Sequence, residues 1–337
     1  MADPLAEMLS LLGIALLGLL IWAALAPFEA LGWWAGWFGD KIYNEDTSAL
    51  LSSTPNDPDA DSYIVFLSGV ARVSGETFSR REQNFLRRLS EVMPGTVVID
   101  NIFPYSVNNL PLTGQPVFAG LWRWALRRKL SRHWLEGLAG YLINVRNIWQ
   151  VAISVDKRYG PIYNQAMAQV IISALAQRGY DPDRRRPVMV IGYSGAGQIA
   201  VGTATYLKEE LGAPIFVISL GGIFGSDVGL LAADHVYHLY GTADRSQRLG
   251  KILSPGRWPF FFYSAWNRAL RMGRISEICL GPISHAGETG YLTTSRKLPD
   301  GLSHLEKTVQ TIASLPYQRH TLSPGSDAPV ATPLSPS

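Results

Sequence analysis

Hydrophobic and polar positions alternate in three distinct regimes along this chain. From Met8 to Ala26, nineteen consecutive residues carry no charge, and only Ser10 is overtly polar. At 1.5 Å per residue a helix over this run extends about 28 Å, close to the roughly 30 Å of a bilayer's hydrocarbon core. Pro27 ends the run, and Phe28–Phe38 follows with Trp33, Trp34 and Trp37, which suits an interfacial aromatic belt. The pattern predicts a retained single-pass transmembrane anchor. The start holds Asp3 and Glu7 and no Lys or Arg, unlike the basic start of a signal peptide. Cleavage at Ala24-Leu25-Ala26 with secretion is the lesser alternative, and a buried core helix the third. No Lys or Arg precedes the span and Lys41 follows it, which favours the bulk of the chain on the cytoplasmic side.

The second regime is polar. Residues 47–61 are rich in Pro, Ser and Asp and read as a linker. The chain then divides into an anchor with its aromatic segment over 1–40, a linker over 41–61, a domain over 62–319, and a Pro/Ser-rich tail over 320–337 expected to be disordered.

The third regime, within 62–319, alternates short apolar runs with helical patterns. Tyr63–Leu67, Thr96–Ile99, Val188–Ile191, Ile215–Leu220, Val236–Tyr240 and Ile275–Leu280 read as strands. Ser79–Val92 and Ile162–Arg178 read as helices, and His304 opens a last one. Strands rich in β-branched residues and separated by helices predict an α/β domain, a mostly parallel sheet flanked by helices.

Composition adds limits. Of 337 residues 47% are hydrophobic and 17% charged, as in a globular protein. The single cysteine, Cys279, excludes an intramolecular disulfide and a Cys-cluster metal site. Its place in a strand marks it as a core residue rather than a nucleophile. The net charge of +3 hides two basic segments. Residues 121–158 hold eight Lys/Arg against Glu136 and Asp156, with four tryptophans. Residues 245–274 hold seven Lys/Arg and no acid, interleaved with Trp258, Phe260, Phe261, Phe262 and Trp266. Such segments suit an anionic membrane interface, as a docking surface or a lid over the site. A solvated basic face with core aromatics is the plainer reading, and nucleic acid is not the expected partner.

The chemistry is concentrated after the strand Val188–Ile191. There Gly192-Tyr193-Ser194-Gly195-Ala196-Gly197 leads into a helical stretch. A strand, a tight glycine-rich turn carrying a serine, and a helix form a nucleophile-elbow pattern. Small residues let the two backbones pass closely, and the helix start offers N–H groups to a developing oxyanion. The glycine spacing does not match a dinucleotide fingerprint.

On these residues the chain resembles the α/β-hydrolase superfamily of lipases and esterases, with Ala196 in place of the last glycine of G-x-S-x-G. The resemblance implies the order serine, acid, histidine, each beyond a strand end. Asp244 in Gly241-Thr242-Ala243-Asp244 and His285 in Gly281-Pro282-Ile283-Ser284-His285 fill those places, with Asp227 and His304 as rivals. It also implies an oxyanion hole, for which the N–H groups of Gly195 and Val70 are the candidates. The expected activity is hydrolysis of an ester or thioester, with lipids among the candidate substrates, without metal or organic cofactor. The alternative is a catalytically silent domain of the same fold serving as a membrane scaffold or binding module.

Overall fold

A computed structural model describes residues 59–72, 74, 78–110 and 135–317, together with residues 7, 9, 10, 13, 17, 18, 21, 22 and 24–36. Much of the expected anchor, nearly all of the linker, the basic stretch 121–134 and the tail lie outside the described residues.

Six parallel strands form one sheet: β1 (Ser62–Leu67), β2 (Thr96–Ile99), β3 (Val188–Tyr193), β4 (Ile215–Leu220), β5 (His235–Tyr240) and β6 (Ile275–Cys279). Their order is β2-β1-β3-β4-β5-β6. The sequence places all six to within two residues at either end. β1 shows why these runs become strands buried on both faces. Tyr63, Val65 and Leu67 enter one core, while Ile64 and Phe66 enter the other.

Two helical layers cover the sheet. On one side lie α2 (Arg80–Val92) and α9 (His304–Ala313). Ser79 starts α2 with a capping box to Glu82, which fixes the helix start that the sequence placed one residue earlier. On the other side lie α1 (Phe28–Trp34), α3 (Leu135–Val155), α4 (Gly160–Gln177), α5 (Ala196–Leu211), the short α6 (Gly229–Ala232) and α8 (Ala265–Arg271). A further short helix, α7 (Arg248–Leu253), precedes α8 and exposes Leu249, Ile252 and Leu253.

The expected interfacial segment is partly docked on the domain. Ala26 and Ala30 belong to the α1-side core, Trp22 and Trp33 pack against it, and α1 contacts α4. Glu29 forms a partly buried ion pair with Arg146 of α3 at 2.7 Å and accepts the Val107 N–H. Trp34 and Phe28 face outward. In the expected span, Leu9, Leu17, Ile21 and Leu25 are helical and exposed. No helix among the described residues is long and apolar enough to cross a membrane.

Cys279 is exposed rather than in the core. β6 is one of the two edge strands, and from Ser276 to Cys279 none of its residues is fully buried. The β6 edge lacks the covering that the inner strands and β2, at the other edge, receive, so a strand position did not imply burial there.

Chain order reverses direction across the sheet between β1 and β3. β2 is added on one side of β1, and β3 to β6 on the other. The loops after β1 and β3 therefore diverge at a switch point, where open parallel sheets form their ligand crevices.

Candidate active site

β3 ends in the elbow. Ser194 has φ +58°, a left-handed conformation costing a non-glycine residue roughly 1–2 kcal/mol. The turn is held on both sides. The Ser194 N–H donates to the Leu220 carbonyl at 3.1 Å, and its own carbonyl accepts the Gly197 and Ile223 N–H groups at 3.0 Å each. Gly192 is required by space, because a Cβ there would lie 2.5 Å from the Ala196 carbonyl oxygen and 2.7 Å from the Gly197 Cα. Ala196 opens α5 fully buried, so a methyl at the last motif position is accommodated. Gly197 passes close to the Gly222 Cα.

The three residues named from chain order converge. Ser194 Oγ lies 2.8 Å from His285 Nε2, and His285 Nδ1 lies 2.9 Å from Asp244 Oδ2. Tyr193, beside the serine, stacks on the His285 ring at 5.8 Å and donates its hydroxyl to the His285 carbonyl at 2.6 Å. The imidazole is thus fixed by its ring partner, its backbone and its acid.

Asp244 is buried, and the four groups bonded to its carboxylate oxygens explain its charge. The Ser246 and Gln247 N–H groups donate to Oδ1 at 2.8 and 3.3 Å. The Tyr291 hydroxyl donates to Oδ2 at 2.7 Å, beside the His285 contact. Burial pushes the carboxyl pKa up, but the hydrogen bonds from His285 and Tyr291 outweigh it and hold the group below its ordinary value. Burial and the adjacent Asp244 carboxylate push the Tyr291 phenol well above its usual range, so it remains a donor. Tyr291 also accepts the Gly241 N–H at 2.9 Å, joining the acid loop to the histidine loop. Gly221, at φ +53°, makes room for this pair: a Cβ there would stand 2.5 Å from the Tyr291 ring and 2.9 Å from Asp244 Oδ2.

Sequence reading missed Tyr291 and Gly221. Neither carries a motif, and Tyr291 lies 47 residues from the acid it holds.

The loop after β1 abuts the nucleophile. A Cβ on Gly69 would be 3.4 Å from the Ser194 Cβ, and one on Gly195 would be 2.8 Å from Val70 Cγ1. Neither the Gly195 nor the Val70 N–H donates to a backbone carbonyl outside the regular elements among the described residues. Asn147 of α3 holds this loop, donating Nδ2 to the Val70 and Arg72 carbonyls at 2.7 and 2.8 Å. Tyr105 donates its hydroxyl to the Ser68 carbonyl from the other side. Arg72 donates to Ser68 Oγ and lies 3.6 Å over the Phe78 ring. Burial lowers its pKa to about 10, leaving it charged at neutral pH.

A cavity of about 670 Å³ opens beside Ser194 and His285, lined by Val70, Phe78, Tyr193 and Leu292 among others. Its size suits a small-molecule or acyl ligand. No residue of 245–274 lines it.

The rivals stand elsewhere. His304 is buried with Nδ1 3.2 Å from the Thr289 and Gly290 carbonyls. Asp227 receives the Gly229 N–H and the Gln198 amide, and lines a separate cavity of about 900 Å³. Among the described residues, no group of three or more His, Cys, Asp or Glu is placed to hold a metal ion.

The basic segments divide. In 121–158, Arg146 is buried against Glu29, and Arg158 pairs with Asp156. In 245–274, Arg257 is buried over the Trp266 ring at 3.7 Å, whereas most of the other cations and Phe260 to Phe262 are exposed.

No protein-family model matches this chain, and no curated protein matches it.

Proposed function

We propose that the chain is a membrane-associated serine hydrolase that cleaves an acyl ester or thioester, with lipid esters among its candidate substrates. The observation that carries the reading is the unbroken chain of contacts from Ser194 Oγ through His285 to Asp244. His285 Nε2 takes the serine proton as Oγ bonds to the substrate carbonyl carbon, and Asp244 orients and stabilises the imidazolium. The carbonyl oxygen becomes an oxyanion facing the N–H groups of Gly195 and Val70. Collapse breaks the bond to the alcohol or thiol, which leaves with the proton from His285. Water then enters by the same proton route, frees the acid and restores Ser194. The strained elbow supports the reading, since backbone strain gathers at functional positions.

The membrane part of the reading rests on the apolar run 8–26 and on the exposed leucines and isoleucine described within it. The Lys/Arg bias around that run, none before it and Lys41 after it, supports a catalytic domain on the cytoplasmic side.

A fluorophosphonate probe tests the chemistry. Labelling is expected in the full chain and lost in Ser194→Ala and His285→Ala. Well-folded protein that fails to label would overturn the hydrolase reading in favour of a silent scaffold.

A further inference from the structure

The exposed aromatic segment does not serve the Ser194 cavity, and its geometry suits another task. We propose that the ridge at residues 258–263, with the apolar face of α7 and the cations around it, is a docking surface for an anionic lipid bilayer. This inference stands independently of the chemistry at Ser194.

The ridge is apolar and faces outward. Phe260 is 69% exposed, Phe262 63% and Tyr263 91%, with Ile252 at 63% and Leu253 at 72% on the adjoining helix. Trp258, Phe260 and Phe261 form one cluster, with ring centroids 6.1 to 6.2 Å apart. So large an apolar exposure costs solvation in water and marks a surface with a partner.

Several polar groups of the ridge are already satisfied from within. The Trp258 indole N–H donates to the Lys251 carbonyl at 2.9 Å. Asn267 of α8 donates its amide to the Trp258 and Phe261 carbonyls at 2.8 and 3.0 Å, and Arg271 donates to the Phe262 carbonyl at 2.8 Å. A loop can enter an apolar medium only when few donors and acceptors would be stranded there. These bonds also fix the loop, so little ordering remains to be done on binding.

Charge selects the partner. Arg245, Arg248, Lys251, Arg268 and Arg271 are exposed, and none is ion-paired among the described residues. No acid occurs between residues 245 and 274. A second copy meeting the same face would bring like charges together. The aliphatic Leu249, Ile252, Leu253 and Met272 offer nothing on which a base could stack, whereas acyl chains accept them as readily as rings. Cations beside an apolar wedge match an anionic bilayer. The position agrees: Trp266 and Ala269 of α8 share a core with Ala26 and Ala30, so the ridge and the N-terminal segment belong to the same helical layer.

The test uses the full chain with Cys279→Ser and Phe262→Cys carrying an environment-sensitive fluorophore. A control carries the label at Arg87→Cys on α2, in the opposite layer. Vesicles of phosphatidylglycerol and phosphatidylcholine are compared with phosphatidylcholine alone. The expected result is emission rising by about threefold at position 262, quenched by acyl-chain spin labels, only on anionic vesicles and not at position 87. Arg248→Glu/Lys251→Glu/Arg268→Glu should weaken that response roughly tenfold, with thermal melting unchanged because all three residues are exposed. A water-like label on vesicles that hold the chain through residues 8–26 would overturn the proposal. So would an equal rise on neutral vesicles, a rise without vesicles at high protein concentration, or a rise with single-stranded DNA alone.

Discussion

Tyr291→Phe removes one oxygen from the most tightly partnered part of the site, and its effect can be worked out from two bonds. The hydroxyl donates to the buried Asp244 carboxylate at 2.7 Å and accepts the buried Gly241 N–H at 2.9 Å. A hydrogen bond to a charged group contributes about 1.5–3 kcal/mol, and a buried donor left unpaired costs about 1–3 kcal/mol. Asp244 keeps three other donors, so the combined loss should be about 3 kcal/mol. For a domain of this size that lowers the melting temperature by roughly 6–12 °C. Asp244 has a folded pKa below its unfolded value of about 3.9. Its stabilisation is therefore complete above that value and is lost as the pH falls through the lower folded one. The gap between parent and variant should be widest near neutral pH and narrow in acid, leaving the share due to Gly241. Fluorophosphonate labelling at neutral pH should slow on the order of tenfold, because a loosened acid lets His285 drift from Ser194. Melting is read at several pH values and labelling is read as a rate. A variant within about 0.5 kcal/mol of the parent at neutral pH, labelling equally fast, would refute the role given to Tyr291.

Other expectations follow from the same geometry. Gly192→Ala should cost about 1–3 kcal/mol or more and abolish labelling, since its Cβ meets backbone at 2.5 Å; chemical denaturation measures the first effect. Ser194→Gly and Ser194→Ala should both lose labelling, but only glycine relieves the positive φ, so it should be the more stable by up to about 1 kcal/mol in thermal melts. Glu29→Gln leaves the buried Arg146 charge without its counter-charge and should destabilise by roughly 3 kcal/mol in urea unfolding. Asn147→Leu should retain Ser194 and His285 in place yet slow labelling, because the loop carrying the Val70 N–H loses both of its amide ties.

The strands were legible because parallel strands buried on both faces require apolar runs, and β1 to β4 supply nearly unbroken ones, while β5 is interrupted by His235 and His238. The elbow was legible because Gly192 and Ser194 meet a local steric demand that leaves a local signature. What escaped was held by contacts distant in sequence. Asn147 reaches a loop 77 residues away, and Arg146 an acid 117 residues away; neither neighbourhood announces the partner. Phe260 to Tyr263 read equally well as core or surface, since composition records apolarity but not which way a loop faces. Cys279 failed for a related reason: a strand is recognisable from its residues, its edge position only from the assembled sheet.

The Glu29–Arg146 pair changes where the domain begins. α1 and β1 are both fixed in one core, so the polar residues 47–61 connect two parts of a single folded unit. A truncated chain starting after residue 26 keeps the counter-charge for Arg146, whereas one starting at residue 59 strands it. Arg146 also donates to the Tyr105 carbonyl, and the Tyr105 hydroxyl in turn holds the loop beside Ser194. A surface entered by the segment before Pro27 would therefore meet the protein through a packed mount rather than a leash. The height and tilt of the serine above such a surface would then be set by side-chain packing.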